Sequence, residues 1–406
     1  MLYFLDSALR CAFDIYAIIR ACDNPHATKM QKKTSLRNVE KMLQKVAKSK
    51  NGESKMSNIQ QNPKNQKKYI VGIVGATGAV GEEIVRVLDE LDFPYQKIIP
   101  LASKNSVGKT IEVQGKEVPV LETTDEVFGK QGIEIAFFSA GGSVSERYAP
   151  SAAKSGALVI DNTSFFRLDK NVPLVVPEVN PSDIAGYKAK NIIANPNCST
   201  IQMVQALAPL HKAFGIERVD VSTYQAVSGA GKKGMEELVT QMQKFFAFEL
   251  DSASPSVFPH RIALNVIPHI DVFMENDYTK EEMKMIKETH KIMHADFPIS
   301  ATCVRVPVLR SHSESVSVRF AKEVSAQEAK EVLKSAQNIV LIDEPKNALY
   351  PMPTTATDTN ETYVGRVRVD NFDKRILHFW CVADQIRVGA ATNAVRIAQK
   401  WCEMQM

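Results

Sequence analysis

Cysteine is scarce in this sequence of 406 residues: six, at positions 11, 22, 198, 303, 381 and 402, with no CxxC pair among them. A zinc site of ordinary ligand spacing has no support, and no metal is expected. A disulfide scaffold is excluded by the same count, so the thiols read as reduced, in a reducing compartment. No run of about 18 uncharged apolar residues is present, so no membrane span is expected. Glycine and proline, 19 each, are too few for a fibrous or low-complexity chain. The apolar share of 44% and the charged share of 24% are those of a globular protein, and the length suits two or three domains.

Charge of one sign is lacking overall but not locally. The net charge is +4. Residues 29–68 hold twelve Lys and Arg against Glu40 and Glu53, a net of +10, while residues 1–28 carry −1 and residues 69–406 carry −5. A basic tail on a mildly acidic body argues against a nucleic-acid surface in that body. The stretch Leu2–Cys22 is apolar, but Asp6, Arg10, Asp14 and Arg20 break the h-region a secretory signal needs. An amphipathic helix fits it, and the Lys-, Asn- and Gln-rich stretch after it has little to bury and is expected to be disordered or partly helical. Two readings of residues 1–68 stand side by side: an organelle-targeting extension, or a dispensable tail with Met56 as an alternative start. The first would place the protein in a plastid or mitochondrion, the second in the cytoplasm.

From Tyr69 the pattern alternates strand and helix. Strands are expected at Tyr69–Val74, Lys97–Ala102, Ile133–Ser139 and Leu158–Asp161, with helices at Glu82–Leu91 and Ser145–Ser155. This predicts an α/β fold with a parallel, Rossmann-type nucleotide sheet. After Cys198 comes a helix, Ser199–Phe214, then longer strands at Val219–Val227, Thr302–Leu309, Ser315–Phe320, Val364–Val369 and Ile376–Ala383. Helices at Gly234–Phe248, Lys280–Met293, Ala326–Gln337 and Gly389–Trp401 complete the set. Strands dominate this part, which predicts an α+β domain built on a mixed sheet backed by helices.

Two motifs carry chemistry. Gly75-Ala-Thr-Gly78-Ala-Val-Gly81 follows a buried strand and opens a helix. Glycines there permit a tight turn and a close backbone approach to a pyrophosphate, which the helix N-terminus attracts. The spacing is GxxGxxG rather than GxGxxG. At the end of the second strand, Ala102-Ser103-Lys104-Asn105-Ser106 contains no acid to hold a ribose 2′-hydroxyl. Small hydroxyls beside Lys104 and Lys109 favour a 2′-phosphate and so NADP, unless the lysines are only solvated charges. The second motif, Asn195-Pro-Asn-Cys198-Ser-Thr200, sets a thiol at a helix start. The macrodipole and free N–H groups favour the thiolate there. Cys198 is then a candidate nucleophile for aldehyde chemistry; the other reading is a small buried hydrophobe.

These two motifs, with Tyr224-Gln-Ala-Val-Ser-Gly-Ala-Gly231, Cys303-Val-Arg-Val-Pro-Val308 and His312-Ser-Glu314, resemble those of aspartate-semialdehyde dehydrogenases. The resemblance runs from about Lys68 to the C-terminus. It implies NADPH-dependent reduction of L-aspartyl 4-phosphate to L-aspartate 4-semialdehyde, a step toward lysine, threonine and methionine. It implies Cys198 as nucleophile and acyl-thioester carrier, His312 as general acid/base, Gln225 as the amide orienting the substrate and Asn197 as a polar support. Arg305 matches the arginine on the substrate carboxylate, Glu281 the contact to its amino end, and Lys284 and Arg167 the phosphate-binding cations. Cofactor contacts are implied at Gly75, Thr77, Gly78, Ala79, Val80, Ser103, Asn105, Ser106, Ser139, Gly141, Ser228, Gly229 and Asn393. By this resemblance Asn393 matches a C-terminal residue returning to the nucleotide domain, so the expected boundaries are 69–197 with 385–406 for the nucleotide domain and 198–384 for the catalytic and dimerisation domain. One departure is Lys104-Asn105, where many members with this loop carry Arg. A homodimer or homotetramer is implied, with no nucleic acid or membrane partner. Another phosphorylating reductase, such as an N-acetyl-glutamyl-phosphate reductase, and a catalytically dead NADP sensor remain as alternatives. Glu281 discriminates against the first, since an acetylated amine offers it no charge, and the thiol with His312 and Arg305 argues against the second.

Overall fold

The computed structural model describes residues 67–405. The expected extension 1–68, with the segment Leu2–Cys22, lies outside the described residues except for Lys67 and Lys68.

The chain first builds a sheet buried on both faces. Its strands are β1 (Tyr69–Val74) and β2 (Tyr95–Ala102). A small hairpin, β3 (Thr110–Val113) with β4 (Lys116–Pro119), interrupts it. Then follow β5 (Leu121–Glu122), β6 (Ile135–Phe138), β7 (Leu158–Asp161) and β8 (Ile192–Ala194). β6 and β7 are buried at every position, which is why they read as unbroken apolar runs. The order is β5-β2-β1-β6-β7-β8 and every neighbouring pair is parallel. This is a Rossmann-type sheet. Strand order reverses between β1 and β6, and the crevice at their carboxyl ends is where such sheets take ligands. Helix α1 (Ala79–Glu90) leaves the glycine turn with Ile84, Val87 and Leu88 turned inward, and α2 (Gly142–Lys154) leaves β6.

Helix α3 (Cys198–Phe214) passes to the second sheet. There β9 (Ile216–Gln225), β10 (Ile299–Arg305), β11 (His312–Phe320), β12 (Ile339–Leu341), β13 (Thr362–Val369) and β14 (Ile376–Ala383) are ordered β10-β9-β11-β14-β13-β12. Pairs β10–β9 and β12–β13 are parallel and the other three antiparallel, so the sheet is mixed. Helices α4 (Gly231–Phe246), α5 (Lys280–Met293) and α6 (Ala326–Ser335) accompany it. Met203, Leu207 and Leu210 of α3 share one core with Val221, Val316 and Phe379 of the sheet and Met285 of α5. The last helix, α7 (Thr392–Glu403), returns to the parallel sheet, where Ala394, Val395 and Ile397 pack with Val71, Ile84 and Ile135.

Several expected limits move for local reasons. Helix α1 starts at Ala79, not Glu82, because Gly78 is already its N-cap. The strand expected at Thr302–Leu309 stops at Arg305, before a turn in which Val308 N–H donates to the Val306 carbonyl at 2.8 Å. β11 starts at His312 rather than Ser315, so His312 and Glu314 are ladder residues. The final helix, expected from Gly389, begins as a π turn, Arg387–Ala391. The hairpin β3–β4 and the short strands β5, β8 and β12 were not expected.

Candidate active site

The glycine turn is set by contacts as much as by conformation. Gly75 has φ +88°, and a Cβ on Gly81 would lie 2.2 Å from the Gly75 carbonyl oxygen. Gly75 and Ala76 N–H donate to the Leu101 carbonyl, and Gly78 N–H to that of Gly75. Ala79 and Val80 stand in the first turn of α1, where N–H groups have no intrahelical acceptor, and Gly78 brings no side chain to cap them. That is a cradle for an anion, so the residues fit the pyrophosphate of a dinucleotide. Ser103, Lys104 and Asn105 lie exposed in a short turn past β2, with Ser106 half-buried. Lys232 of α4 reaches this region, donating to the Thr77 carbonyl at 3.2 Å and pairing with Glu82 at 2.7 Å.

A cavity of about 520 Å³ opens beside the turn. Its wall joins Val80, Ser139 and Gly141 from the nucleotide side to Arg167, Asn197, Cys198, Gln225, Ser228, Gly229, Glu281, Lys284 and Arg305. Asn197 caps α3, its Oδ1 accepting from Ser199 N–H at 3.1 Å and Thr200 N–H at 3.2 Å. Its Nδ2 donates to Glu281 Oε1 at 2.8 Å, and Gln225 Nε2 donates to the same oxygen at 3.4 Å. Lys284 bridges Glu281 at 3.1 Å and Asp271 at 2.7 Å. Burial pushes the Glu281 carboxyl up, but Lys284, Asn197 and Arg167 outweigh it and hold the group below its ordinary value. Arg305 Nη1 donates to the Ala226 carbonyl at 2.7 Å. Arg167 donates to the Asn195 and Asn162 carbonyls and to Glu288 Oε1 at 3.1 Å.

The thiol departs from expectation. Burial, and then the Glu281 carboxylate, push Cys198 up to about 12, against the pull of Arg167, Arg305 and the Ser199 N–H. The helix start alone does not yield a thiolate. His312 is fully buried, and is absent from the cavity wall. Burial, with Arg305 beside it, holds its imidazolium well below the usual range, so the ring is neutral. Its Nδ1 accepts from Ala226 N–H at 3.0 Å, which places the proton of the neutral ring on Nε2. That atom faces Gly229, whose missing Cβ would stand 3.3 Å from Nε2 and 2.7 Å from Arg305 Nη1. Asn393 is also off the wall; it donates to the Val175 carbonyl at 2.9 Å and to Asn195 at 2.6 Å.

Some residues of the site gave no signal in the reading of the sequence. A Cβ on Gly389 would fall 2.6 Å from Cys198 Cβ, a constraint between distant segments. Gln385 accepts from Ser311 N–H at 2.7 Å and donates to Ser228, tying the residue before His312 to the wall. Glu288 accepts from Asn197 N–H at 2.6 Å. Its place seven residues after Glu281, on the same helix face, was the available clue. Among the described residues, no group of three or more His, Cys, Asp or Glu is placed to hold a metal. No helix there is long and apolar enough to cross a membrane.

Comparisons with known proteins agree on one family. Residues 70–187 match the family model described as semialdehyde dehydrogenase, NAD binding domain, and residues 207–388 that described as semialdehyde dehydrogenase, dimerisation domain. The chain is 66% identical over 339 residues to an aspartate-semialdehyde dehydrogenase of Campylobacter jejuni, covering 84% of this chain and 99% of that one. One from Helicobacter pylori is 58% identical, covering 82% and 98%. Among solved structures, aspartate semialdehyde dehydrogenase II of Vibrio cholerae, complexed with ASA, superposes with a TM-score of 0.79 at 46% identity, over 82% of this chain and 98% of that one. The aspartate semialdehyde dehydrogenase of Candida albicans with NADP gives 0.64 at 25% identity, covering 82% and 98%.

Proposed function

Because the chain belongs to the aspartate-semialdehyde dehydrogenase family, we propose that it reduces L-aspartyl 4-phosphate to L-aspartate 4-semialdehyde with NADPH and releases phosphate. It is an oxidoreductase of the NAD(P)-dependent phosphorylating class and serves amino-acid biosynthesis. One observation carries the finer reading: Cys198, Gln225, Arg305, Glu281, Lys284 and Arg167 share a single cavity wall with Val80, Ser139 and Gly141 beside the glycine turn.

Arg305 offers a planar fork for the substrate carboxylate, and Glu281 a carboxylate for the ammonium. Lys284 and Arg167 stand where a phosphate dianion would sit, already balanced by Asp271 and Glu288. The Cys198 sulfur attacks the acyl carbon, the carbon–phosphate oxygen bond breaks, and a thioester forms as the leaving phosphate carries away the thiol proton. Bound NADPH would supply the hydride that reduces that carbonyl; the carbon–sulfur bond then breaks, freeing the aldehyde, and one proton restores the Cys198 thiol. In its resting tautomer His312 is a donor through Nε2–H, suited to holding a negatively charged oxygen. It accepts the thiol proton only if its own moves to Nδ1, at the expense of the Ala226 hydrogen bond.

The short turn Ser103–Ser106 supports NADP over NAD, since none of its side chains is a carboxylate. A homodimer or homotetramer through the second sheet accords with the dimerisation-domain match. The domain limits 69–197 with 385–406 and 198–384 accord with α7 returning to the first sheet. The relatives named above lend the organelle reading no support, and a cytoplasmic place is the one we adopt. The test is phosphate-dependent reduction of NADP with aspartate semialdehyde, repeated with NAD and with Cys198→Ala. Full activity of the Cys198 variant would end the thiol mechanism. A strong preference for NAD in kcat/KM would end the 2′-phosphate reading.

A further inference from the structure

The helix-facing side of the mixed sheet is arranged in rows. Strand alternation puts residues two apart on one face, and the register aligns them across β10, β9, β11 and β14. The row at the active site is Arg305, Gln225, His312 and Ala383. Two rows in, Ala301, Val221, Val316 and Phe379 belong to the apolar core. Between them lies Cys303, Thr223, Glu314 and Cys381, every one of them fully buried. Neither oxygen of Glu314 has a hydrogen-bond partner, and Thr223 Oγ1 has none.

The groups facing Glu314 are Cys303 from β10, Cys381 from β14, His312 two residues along its own strand and Gln202 from α3. None is a cation, since His312 is neutral. A carboxylate here would be a buried charge without a counter-ion, helped only by the Gln202 side chain, a costly arrangement in a protein interior. Burial accordingly pushes the Glu314 carboxyl well above its ordinary range. A protonated carboxyl needs an acceptor for its O–H. Gln202 offers one: its Oε1 is unpartnered, while its Nε2 donates to the His312 carbonyl at 3.4 Å.

We propose that Glu314 is a positioning residue of the active site that works as a neutral carboxylic acid, donating its O–H to Gln202 Oε1 so that Gln202 stays seated on the His312 main chain. The inference rests on His312 serving the reaction proposed above. It also explains a requirement of that site. A charged Glu314, on the same face as His312, would favour the imidazolium and cost the ring its Nδ1 acceptor for Ala226 N–H. A neutral one leaves the ring neutral.

The test pairs a spectroscopic signature with isosteric rescue. In infrared difference spectra of the whole protein, wild type minus Glu314→Gln, a protonated-carboxyl C=O band should be present and unchanged from about pH 6 to about pH 9. Its absence near neutral pH would overturn the proposal. Glu314→Gln, neutral and able to donate to the same oxygen, should keep kcat within about threefold and leave the pH profile unmoved. Glu314→Leu should lose at least about thirtyfold in kcat with the fold and cofactor affinity retained. Should that variant not fold, Gln202→Leu removes the bridge from the helix side and should show the same kcat loss. Full activity in Gln202→Leu, or a collapse of activity in Glu314→Gln, would overturn the positioning role. The band is read whether or not the protein turns over the semialdehyde, so a failure of the proposed reaction would be seen separately.

Discussion

A thiol at a helix start is often taken as an anion, and Cys198 shows why its surroundings decide. The dipole contributes about 0.3–1 kcal/mol at an exposed helix end. Here the N-cap is already used, because Asn197 Oδ1 holds the Ser199 and Thr200 N–H groups. Burial and Glu281 then act in the other direction. The free enzyme should therefore carry a neutral thiol. Alkylation by iodoacetamide without substrate should climb about tenfold per pH unit from pH 7 to about pH 10, since only the thiolate reacts. A plateau below about pH 8 would contradict this. Glu281→Gln removes the second-largest push on the thiol, so it should speed alkylation several-fold at fixed pH while slowing turnover. Gly389 makes the complementary point about space. A methyl group there would sit 2.6 Å from Cys198 Cβ and 3.0 Å from its Cα, so one backbone must shift. Gly389→Ala should lower kcat by about a hundredfold, the effect of a roughly 1 Å misplacement of a reacting group. Stability should fall by about 1–3 kcal/mol. The glycine turn and the thiol at a helix start are written in consecutive residues and could be read directly. The need for glycine at 389 arises only when two distant segments meet.

Helix α5 shows an element acting as the frame of the site. Its start is marked by a capping box in which Thr279 and Glu282 bond reciprocally, and the expected range Lys280–Met293 is the one found. Glu281, Lys284, Glu288 and Lys291 follow at spacings of three or four, which sets them along one face. The first two stand in the cavity wall and Glu288 holds Asn197 and Arg167. Lys291 donates to the carbonyls of Arg167 and Asp169 at 2.8 Å and of Val172 at 2.7 Å, fixing the loop that carries Arg167. Lys291→Met keeps the aliphatic stem and deletes all three donors. It should raise the KM for phosphate about tenfold or more, with a smaller effect on that for the semialdehyde, in the phosphate-dependent direction of the assay. Equal changes in both would mean that the loop does not position the phosphate. The helix was legible from its periodicity, whereas the role of Lys291 was not, because its partners are backbone carbonyls that no side-chain pattern announces. The hairpin β3–β4 escaped because its strands are only four residues each: Ile111 and Val113 alternate with exposed Thr110 and Glu112, but two apolar positions are too few to mark a strand.

At the scale of the molecule, the two sheets meet at a buried ion network. Glu83, on the helix leaving the glycine turn, is 3% exposed and pairs with Arg387 at 2.7 Å and Arg310 at 3.2 Å. Arg310 also meets Asp384 and Asp358 at 2.8 Å each, and Arg387 meets Glu90 at 2.6 Å. Arg310 stands two residues before His312 and Arg387 two before Gly389, so the network joins the cofactor helix to both segments behind the thiol. Composition and alternation showed a parallel sheet followed by a mixed one, and the family resemblance implied that the final helix returns to the first. They could not show that β9 lies between β10 and β11, or that Glu83 faces inward, since those follow from pairings between remote stretches. Glu83 looks like any solvated residue of an amphipathic helix until Arg310 and Arg387 arrive. Removing its charge leaves the buried Arg387 and the half-buried Arg310 each short of a partner, a change that costs up to about 3 kcal/mol in comparable sites. Glu83→Gln should lower the urea midpoint accordingly, and 1 M NaCl should not mask the difference, because a buried pair is little screened. The exposed pair Lys400–Glu403, at 2.6 Å, is the control: Glu403→Gln should change stability by no more than about 0.5 kcal/mol. If the two variants lost equal stability, or if salt erased the Glu83 effect, the network would be surface decoration. The cofactor helix and the His312 segment would then have to be joined by apolar packing alone.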